Sequence, residues 1–341
     1  MDTSARPRVL SGMRPTGALH LGHLTGALDN WVRLQDAYEC FYCVVDYHAL
    51  TTDYADPSAI RQNVIEVTLD WLAAGIDPAR SCVFIQSLVP EHAELHLLLS
   101  MTTPVSWLER VPTYKDVQAN LENRDLATYG FLGYPLLQTA DIIIYRADLV
   151  PVGEDQASHL EISREITRRF NSLYRPVFPE PQALFTPTPR VPGIDGRKMS
   201  KSYGNAINLS DPPATIREKC LQMFTDPTRI LRKDPGHPES CNLFAFHRLL
   251  SPPELALRVE RECRAAEIGC VDDKRLLADQ IIAFLEPLQR RRAEALSDPS
   301  ALLELLRRGS ARARERAQET LVMVREALGL DYDRLLKGTP H

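Results

Sequence analysis

The chain has 341 residues, enough for a large core and about two domains. Its 44% hydrophobic and 25% charged residues are ordinary for a globular protein, and no apolar run approaches the roughly 18 residues that a membrane span needs. A net charge of −5 argues against a protein that coats nucleic acid indiscriminately, although a local basic patch is compatible with it. The seven cysteines lack regular spacing and the start lacks the apolar core of a signal peptide, so we expect reduced thiols and a cytoplasmic, non-membrane protein.

The first half of the sequence alternates between short strands and helices. The stretches 8–12, 40–50 and 82–87 are β-rich and apolar, and we predict them as buried strands. Apolar residues recur at helical spacing over 21–38, and helices are also predicted over 59–76 and 91–103. This alternation predicts an α/β fold, a Rossmann-like parallel sheet with helices on both faces. Ligands of such sheets bind at the carboxyl ends of the strands.

The second half is predicted to be helical. Residues 176–192 are rich in proline and are predicted as an ordered loop, and strand signals fade after about residue 206. The helices that follow have breaks near Pro235, Pro252 and Asp298, and the last one has Ser310 as its expected cap. The apolar or small residues of one face of that last helix are Ala313, Ala317, Leu321, Val324 and Leu328. We predict a catalytic domain over 1–205, with a helical insertion at about 100–135, and a C-terminal helical domain over 206–341.

The stretch HLGH lies where the first loop becomes a helix. His20 and His23 flank Gly22, which permits close backbone approach at a helix start that favours an anion. Two imidazoles at a helix start also serve as caps or packing groups, and the motif alone does not decide between that role and hydrogen bonding to phosphate. With no third ligand nearby, a metal pair is not expected.

A second motif, IDGRKMSKSYGN, spans residues 194–205. It places Lys198 and Lys201 on a loop that runs between Gly196 and Gly204. Two mobile ammonium groups on a flexible loop are either solvated charges or the partners of a strongly anionic ligand.

HLGH followed by KMSKS on a parallel α/β sheet resembles the class I aminoacyl-tRNA synthetases. Further segments are similar to bacterial tryptophanyl-tRNA synthetases, from about residue 8 to residue 330: VVDYHALT, FIQS, YPLLQTADIIIY, VPVGEDQASHLEISREITRRFN and REALGL. The resemblance implies that tryptophan is activated with ATP, that pyrophosphate is released, and that the tryptophanyl group passes to tRNA(Trp). Such a reaction requires aligned reactants and stabilised negative charge.

The resemblance also implies the residues of the site. The expected catalytic residues are His20, His23, Lys198 and Lys201. The two lysines lie on a loop that can close and are expected to contact the β- and γ-phosphates of ATP, which binds with Mg²⁺. The expected ATP-binding residues are Arg14, Pro15, Thr16, Gly22, His23, Gly153, Glu154, Asp155, Val191, Lys198, Met199, Ser200, Lys201 and Ser202. The expected tryptophan-binding residues are Leu10, His48, Tyr134, Gln138, Asp141, Val150, Val152 and Gln156, with Asp141 accepting the indole N–H.

Three of these positions depart from the residues that many relatives have. Arg14 stands where many have glutamine, and its permanent charge near the triphosphate would alter the dependence on Mg²⁺. His23 stands where many have asparagine, and Leu10 where many have phenylalanine, which changes the stacking against tryptophan.

The cysteines raise the question of an iron–sulfur cluster. Some bacterial tryptophanyl-tRNA synthetases hold one with four cysteines in the region of Cys241, Cys263 and Cys270. Here Asp273 stands where the fourth thiol would be, and iron–sulfur sites favour four thiolates. We therefore expect a cluster-free remnant and no certain metal site, with an intact cluster as the alternative.

The resemblance also implies partners. Eight arginines between residues 289 and 316 are expected to include contacts to the anticodon arm of tRNA(Trp), since arginine suits phosphates and exposed bases. The family also implies a homodimer. A tyrosyl enzyme is the nearest alternative within the class, and VPVGEDQ and VVDYHALT argue against it. The alternative function is a tryptophan-activating paralogue with weak charging and a separate binding or regulatory role.

Overall fold

The computed structural model describes residues 6–111, 128–153, 157–185 and 191–332, together with residue 336. Its centre is a five-stranded sheet in which every neighbouring pair is parallel, with the order β3-β2-β1-β4-β5. The strands are β1 Arg8–Met13, β2 Glu39–Val44, β3 Ser81–Ile85, β4 Leu149–Val152 and β5 Gln182–Phe185. The predicted α/β fold with a parallel sheet is confirmed.

The strand order positions the site. Successive strands β1, β2 and β3 run to one side of the sheet, whereas β4 and β5 lie on the other side of β1. The connections that leave β1 and reach β4 therefore diverge, and a crevice opens at the carboxyl ends of these two strands. This reversal is the position at which open α/β sheets bind ligands.

Helices cover both faces of the sheet. The helices of the first part are α1 Leu21–His23, α2 Asp29–Leu34, α3 Asp46–Asp53, α4 Ile60–Ala74, α5 Glu91–Ser100, α6 Val105–Glu109, α7 Tyr129–Leu132, α8 Tyr134–Ile143 and α9 Ala157–Leu173, with a π-helical turn Leu24–Leu28 joining α1 to α2. The helices of the second part are α10 Pro213–Gln222, α11 Asn242–Leu250, α12 Pro253–Arg264, α13 Cys270–Ser297 and α14 Pro299–Leu328. None of the helices in the described ranges is long and apolar enough to cross a membrane.

Alternate residues of β2 separate the core into two layers. Tyr42 packs with Trp31 and Trp71 from α2 and α4, whereas Phe41 packs with Tyr145 near the end of α8 and with residues of α14. The side chains of a strand point alternately to opposite faces, so a strand buried on both faces has a continuous apolar run. This explains why the sequence CFYCVV has no polar alternation.

Two predicted strand and loop assignments are wrong. The predicted strand 40–50 ends at Val44, because Asp46 begins α3 and its carboxylate accepts hydrogen bonds from the backbone N–H groups of Tyr47 and Ser87. Within the proline-rich stretch, Gln182–Phe185 forms β5. In the described part of the chain β5 is the outermost strand and pairs on one side only, so it tolerates neighbouring prolines.

The predicted cap at Ser310 is also wrong. The last helix begins eleven residues earlier, where the Asp298 carboxylate accepts the N–H of Ala301 at 2.9 Å. Ser310 is buried in the middle of α14, and its hydroxyl accepts the N–H of Ile85 on β3. A Cβ atom at Gly309 would lie 1.8 Å from the carbonyl oxygen of Val83, so only glycine allows this approach. The helix thus covers the edge of the sheet.

The C-terminal helices pack directly on the α/β part. Helix α13 contacts α4, and α14 contacts β3 and α5. The division of the chain at residues 205/206, the insertion at about 100–135 and the role of the second part as a tRNA domain remain predictions.

Candidate active site

A cavity of about 430 Å³ lies at the carboxyl ends of β1 and β4. Seven of the expected tryptophan-binding residues line it together: Leu10, His48, Tyr134, Gln138, Asp141, Val150 and Val152. Gln156 lies outside the described residues. The sequence prediction missed several other lining residues, namely Ser11, Gly12, Cys43, Val45, Thr51, Thr52, Phe131, Ile142, Pro151 and His159. Apolar side chains share the lining with polar and charged ones such as Arg14, His48, Gln138 and Asp141, a combination found in sites that bind small molecules.

Asp141 is the buried charge of this cavity. It lies on α8, and its side chain accepts hydrogen bonds from three residues of other elements. The distances are 3.0 Å from His48 Nε2 to Oδ2, 2.6 Å from His92 Nδ1 to Oδ1, and 2.7 and 2.8 Å from Gln86 Nε2 to the two oxygens. The sequence analysis assigned roles to His48 and Asp141 but missed Gln86 and His92.

These partners keep Asp141 ionised. Burial acts to raise the pKa of its carboxyl, but the interactions with His92 and His48 outweigh burial and lower the pKa to about 2. An ionised carboxylate only accepts hydrogen bonds, so the cavity presents an acceptor to a ligand that carries an N–H donor.

The HLGH motif lies at the start of α1, after the loop that follows β1. The rings of His20 and His23 lie with centroids 3.8 Å apart at a tilt of 39°, and the backbone N–H of His20 donates to His23 Nδ1 at 3.2 Å. A Cβ atom at Gly22 would lie 3.1 Å from the His20 ring, so glycine lets that ring lie close to the helix start. Burial lowers the pKa of His20 to about 4 and that of His23 to about 3, with Lys201 contributing in both cases. Both rings are therefore neutral near pH 7.

Lys201 joins the two sequence motifs. Its Nζ donates to the carbonyl oxygens of Gly17 at 2.8 Å and Thr16 at 3.2 Å, in the loop that leads to His20. Gly17 has a φ of +101°, which favours glycine in this turn. Burial lowers the pKa of Lys201 to about 8, against the opposing effect of Asp70. The ammonium group thus lies beside the two histidines and loses its charge more readily than a surface lysine.

Asn205 organises the KMSKS loop from its end. Its amide donates to Asp195 Oδ1 at 2.7 Å and to the Lys198 carbonyl at 3.2 Å, and its oxygen accepts the N–H of Ser200 at 2.8 Å. A Cβ atom at Gly193 would lie 2.2 Å from the Asn205 amide, so the loop closes tightly around this side chain. The sequence analysis did not assign a role to Asn205.

The other residues expected at ATP are divided between the two loops. Arg14 lines the cavity and contacts Thr52, Pro15 is buried, and Gly153 follows β4. In the second motif, Met199 is buried and its N–H donates to the Val191 carbonyl at 3.3 Å, whereas Lys198 is exposed. Ser202 lies in the 3-10 turn Lys201–Tyr203. Glu154 and Asp155 lie outside the described residues.

The residues of the cysteine region do not match a four-thiolate site. Arg229 Nη1 lies 3.9 Å from the sulfur atoms of both Cys263 and Cys270, and Asp273 is held by the buried His247 at 3.0 Å. A guanidinium between the thiols and a carboxylate with its own partner differ from the four thiolates that clusters favour. In the parts of the chain that the structure describes, no group of three or more His, Cys, Asp or Glu side chains is placed to hold a metal. The cluster-free remnant stays a prediction.

Several arginines of the basic stretch bind the fold. Arg292 donates to Asp70 at 2.8 Å and contacts Glu66, Arg291 donates to the Ala73 carbonyl, and Arg314 donates to Glu91. These arginines connect the C-terminal helices to α4 and α5. A count of arginines therefore overestimates the charge that this surface offers to RNA.

The chain is similar to known proteins over most of its length. The family model for tRNA synthetases class I (W and Y) matches residues 2–286. The tryptophan–tRNA ligase of Thermotoga maritima is 50% identical over 327 residues, and that of Aquifex aeolicus is 45% identical over 393 residues; each alignment covers 95% of this chain and 100% of the relative. The crystal structure of tryptophanyl-tRNA synthetase from Campylobacter jejuni with ADP and tryptophan has a TM-score of 0.88 and 34% identity, covering 95% of this chain and 100% of that chain.

The chain belongs to the class I tRNA synthetases, in the family of the tryptophan and tyrosine enzymes. The relatives and the neighbouring structure just described are all tryptophan enzymes.

Proposed function

We propose that the crevice beside β1 has two subsites, one for tryptophan around Asp141 and one for the triphosphate of ATP between His20 and Lys201. The chain is an ATP-dependent tryptophan–tRNA ligase. It activates L-tryptophan as the tryptophanyl-adenylate and transfers the tryptophanyl group to tRNA(Trp). The observation that carries the division into subsites is the buried, ionised Asp141 in the cavity, together with the Lys201 ammonium group that is hydrogen-bonded to the loop that follows β1.

The tryptophan subsite is supported by its chemistry. The indole ring is apolar with a single N–H donor, and the cavity offers apolar side chains such as Val150 and Val152 together with the carboxylate acceptor of Asp141. A site built to bind a donor can reject an analogue without that donor by a factor of about 10⁴. Tyr134, Gln138 and His48 would surround the amino acid from α8 and α3, and Gln156 belongs to the same proposal.

The ATP subsite is supported by the position of Lys201. Its ammonium group bridges the two motif loops, and negative charge that develops on the leaving pyrophosphate would be stabilised there. Lys198 would reach the phosphates from the exposed part of the same loop, and the neutral rings of His20 and His23 would donate or accept hydrogen bonds without repelling Lys201. We propose that Mg²⁺ enters with ATP, because Mg²⁺ keeps several waters and is commonly bound by substrate phosphates.

A homodimer is part of the proposal. The end of α5 and the chain after it expose apolar side chains at every fourth residue: Leu97 is 55%, Met101 71% and Val105 56% exposed. Clustered exposed apolar residues mark interaction surfaces, and a second copy of this chain is the proposed occupant. Sedimentation would show a dimer that Met101→Glu dissociates; a wild-type monomer at micromolar concentration would refute it.

A cytoplasmic location, where charged tRNA is used, belongs to the same proposal.

The decisive experiment is amino-acid-dependent ATP–pyrophosphate exchange. Exchange with tryptophan but not with tyrosine, followed by charging of tRNA(Trp), is the expected result. Exchange with both amino acids would refute a cavity that is selective for tryptophan. Exchange without charging would identify a tryptophan-activating paralogue instead of a ligase.

A further inference from the structure

Behind Asp141 lies a chain of buried polar groups to which the reaction as described gives no role. His92 Nδ1 contacts Asp141 Oδ1 at 2.6 Å, and His92 Nε2 contacts the Tyr145 hydroxyl at 2.6 Å. His92 is 0% exposed and Tyr145 is 1% exposed, and neither lines the cavity. Burying polar groups of this kind costs free energy unless their hydrogen bonds are made, so the hydrogen bonds Asp141–His92–Tyr145 are required by the fold.

The direction of each hydrogen bond follows from the ends of the chain. Asp141 is ionised and only accepts, so His92 Nδ1 carries the hydrogen and donates to it. Burial raises the pKa of Tyr145 well above its usual value, so its hydroxyl keeps its proton. When His92 Nε2 carries no hydrogen, the Tyr145 hydroxyl donates to it across 2.6 Å. This arrangement holds the tautomer in which Nδ1 donates to Asp141.

The partners of Asp141 have different access to a ligand. Gln86 and His92 are both 0% exposed and do not line the cavity, and the side-chain oxygen Oε1 of Gln86 accepts the N–H of Tyr47 at 3.1 Å, which orients the Gln86 amide. His48 lines the cavity and contacts Oδ2 from the open side. A ring N–H that enters the cavity would thus meet the Oδ2 side, while Oδ1 stays bound to His92.

We propose that His92 and Tyr145 are positioning residues that hold Asp141 as an oriented anion. The hydrogen bonds Asp141–His92–Tyr145 would then determine the selection of a ligand with a ring N–H donor. The proposal rests on the proposed function, because it takes Asp141 as the acceptor of the indole N–H. Without the donor from His92, burial would favour protonation of Asp141. A protonated carboxyl group can donate a hydrogen bond, so it no longer requires an N–H from the ligand.

Other titratable groups also face this carboxylate or the helix that carries it. They are Cys43 on β2, His48 on α3, His92 and His96 on α5, Tyr129 on α7, Tyr134 and Tyr145 on or next to α8, and His159 on α9. His96 interacts with Asp141 only through its charge, and burial lowers the pKa of His96. In the described part of the protein, His48 and His92 are the titratable groups that donate hydrogen bonds directly to Asp141, so a variant at His92 tests the Asp141–His92–Tyr145 hydrogen bonds specifically.

The test compares His92→Leu with His92→Asn in tryptophan-dependent pyrophosphate exchange. The amide of asparagine can place a donor near the position of Nδ1, whereas leucine has none. For His92→Leu we expect the KM for tryptophan to rise about tenfold to a hundredfold, with the KM for ATP unchanged. We also expect the acid limb of kcat/KM for tryptophan to move to higher pH. His92→Asn should restore most of both properties.

Selectivity gives a second readout. The probe is β-(3-benzothienyl)-L-alanine, which has the shape of tryptophan without the ring N–H. The ratio of kcat/KM for tryptophan to that for the probe should fall in His92→Leu and fall less in Tyr145→Phe. Tyr42→Phe is the matched control, because it also removes a buried hydroxyl, one that donates to the Trp31 carbonyl at 2.7 Å away from Asp141.

Asp141→Asn separates the two levels of the proposal. If Asp141→Asn raises the KM for tryptophan and His92→Leu leaves KM, acid limb and selectivity unchanged, the inference is wrong and the tryptophan subsite stands. If neither variant changes them, the subsite itself is wrong. Equal effects of Tyr42→Phe and Tyr145→Phe would also overturn the inference, since they would show a general loss of packing.

Discussion

Replacing Lys201 with alanine should separate the two subsites. Lys201 Nζ makes hydrogen bonds of 2.8 and 3.2 Å in the structure, to Gly17 and Thr16, and it lies far enough from Asp141 that the cavity does not include it. Loss of one charge-stabilising donor costs about 3 kcal/mol in a transition state, which is a factor of about 10² in rate. We therefore expect Lys201→Ala to lower kcat for pyrophosphate exchange about a hundredfold while tryptophan binding is unchanged.

A matched lysine controls for the loss of a lysine–carbonyl hydrogen bond. Lys274 Nζ donates to the Leu221 carbonyl at 2.8 Å, on a helix outside the crevice. Lys274→Ala should leave exchange unchanged. The assay is exchange at varied ATP with saturating tryptophan, beside tryptophan binding by calorimetry. An unchanged kcat in Lys201→Ala, or an equal loss in Lys274→Ala, would refute the phosphate role of Lys201.

The pH dependence tests the same residue independently. Because burial lowers the pKa of Lys201 to about 8, the ammonium form is present below that pH and is lost as the pH rises through it. The kcat/KM for ATP reports the free enzyme and should therefore fall above about pH 8. Lys201→Arg keeps its charge throughout this range and should lack the alkaline limb. The same limb in both proteins would assign it to another group.

Two further variants test how the loops and helices are held. Asn205→Ala removes three hydrogen bonds within the KMSKS loop and should raise the KM for ATP about tenfold without changing the KM for tryptophan. Steady-state kinetics with each substrate varied measures both constants, and an equal change in the two would contradict this prediction. Arg292→Met leaves the fully buried Asp70 without its cation, so the free energy of unfolding should fall by about 3–5 kcal/mol in urea, whereas the exposed Arg308→Met should change it by less than about 0.5 kcal/mol. Equal stabilities of these two variants would count against a buried Arg292–Asp70 pair.

Periodicity predicted the sheet well because it depends on local patterns. Strands buried on both faces are continuous apolar runs, and β1 and β3 were predicted close to their observed bounds. The helix Asp46–Asp53 was missed because the apolar run CFYCVV continues into it without a glycine or proline. The edge strand Gln182–Phe185 was missed because it has only four residues beside prolines.

The partners of Asp141 could not be predicted from local patterns. Gln86 follows the end of β3 and His92 is the second residue of α5, about fifty residues before Asp141 in the chain. The packing of α5 against α8 brings His92 to Asp141, and Gln86 reaches Asp141 from the turn that follows β3. The sequence did contain one signal, since a carboxylate within the apolar run LLQTADIIIY requires a buried donor. It does not say which of the nine histidines supplies that donor.

The arginines show a second limit. Charge counting cannot distinguish an arginine that meets a carboxylate from one that meets a phosphate. Asp70 was the missed signal, because it lies in the apolar stretch VIEVTLDWLAAG of α4 and so requires a cation or several donors. It receives Arg292 from α13 and the N–H of Leu19, which directly precedes His20.

One turn of α13 therefore holds both motif loops. Arg292 reaches the loop before His20 through Asp70, and Gln289 donates to the Leu209 carbonyl at 2.9 Å, shortly after the KMSKS loop. The Leu209 N–H in turn donates to the Leu19 carbonyl at 2.8 Å. A helix from the distant end of the chain thus holds the HLGH loop and the KMSKS loop relative to each other. Arginines from a stretch expected to bind tRNA therefore also support the crevice that we propose as the site of adenylate formation.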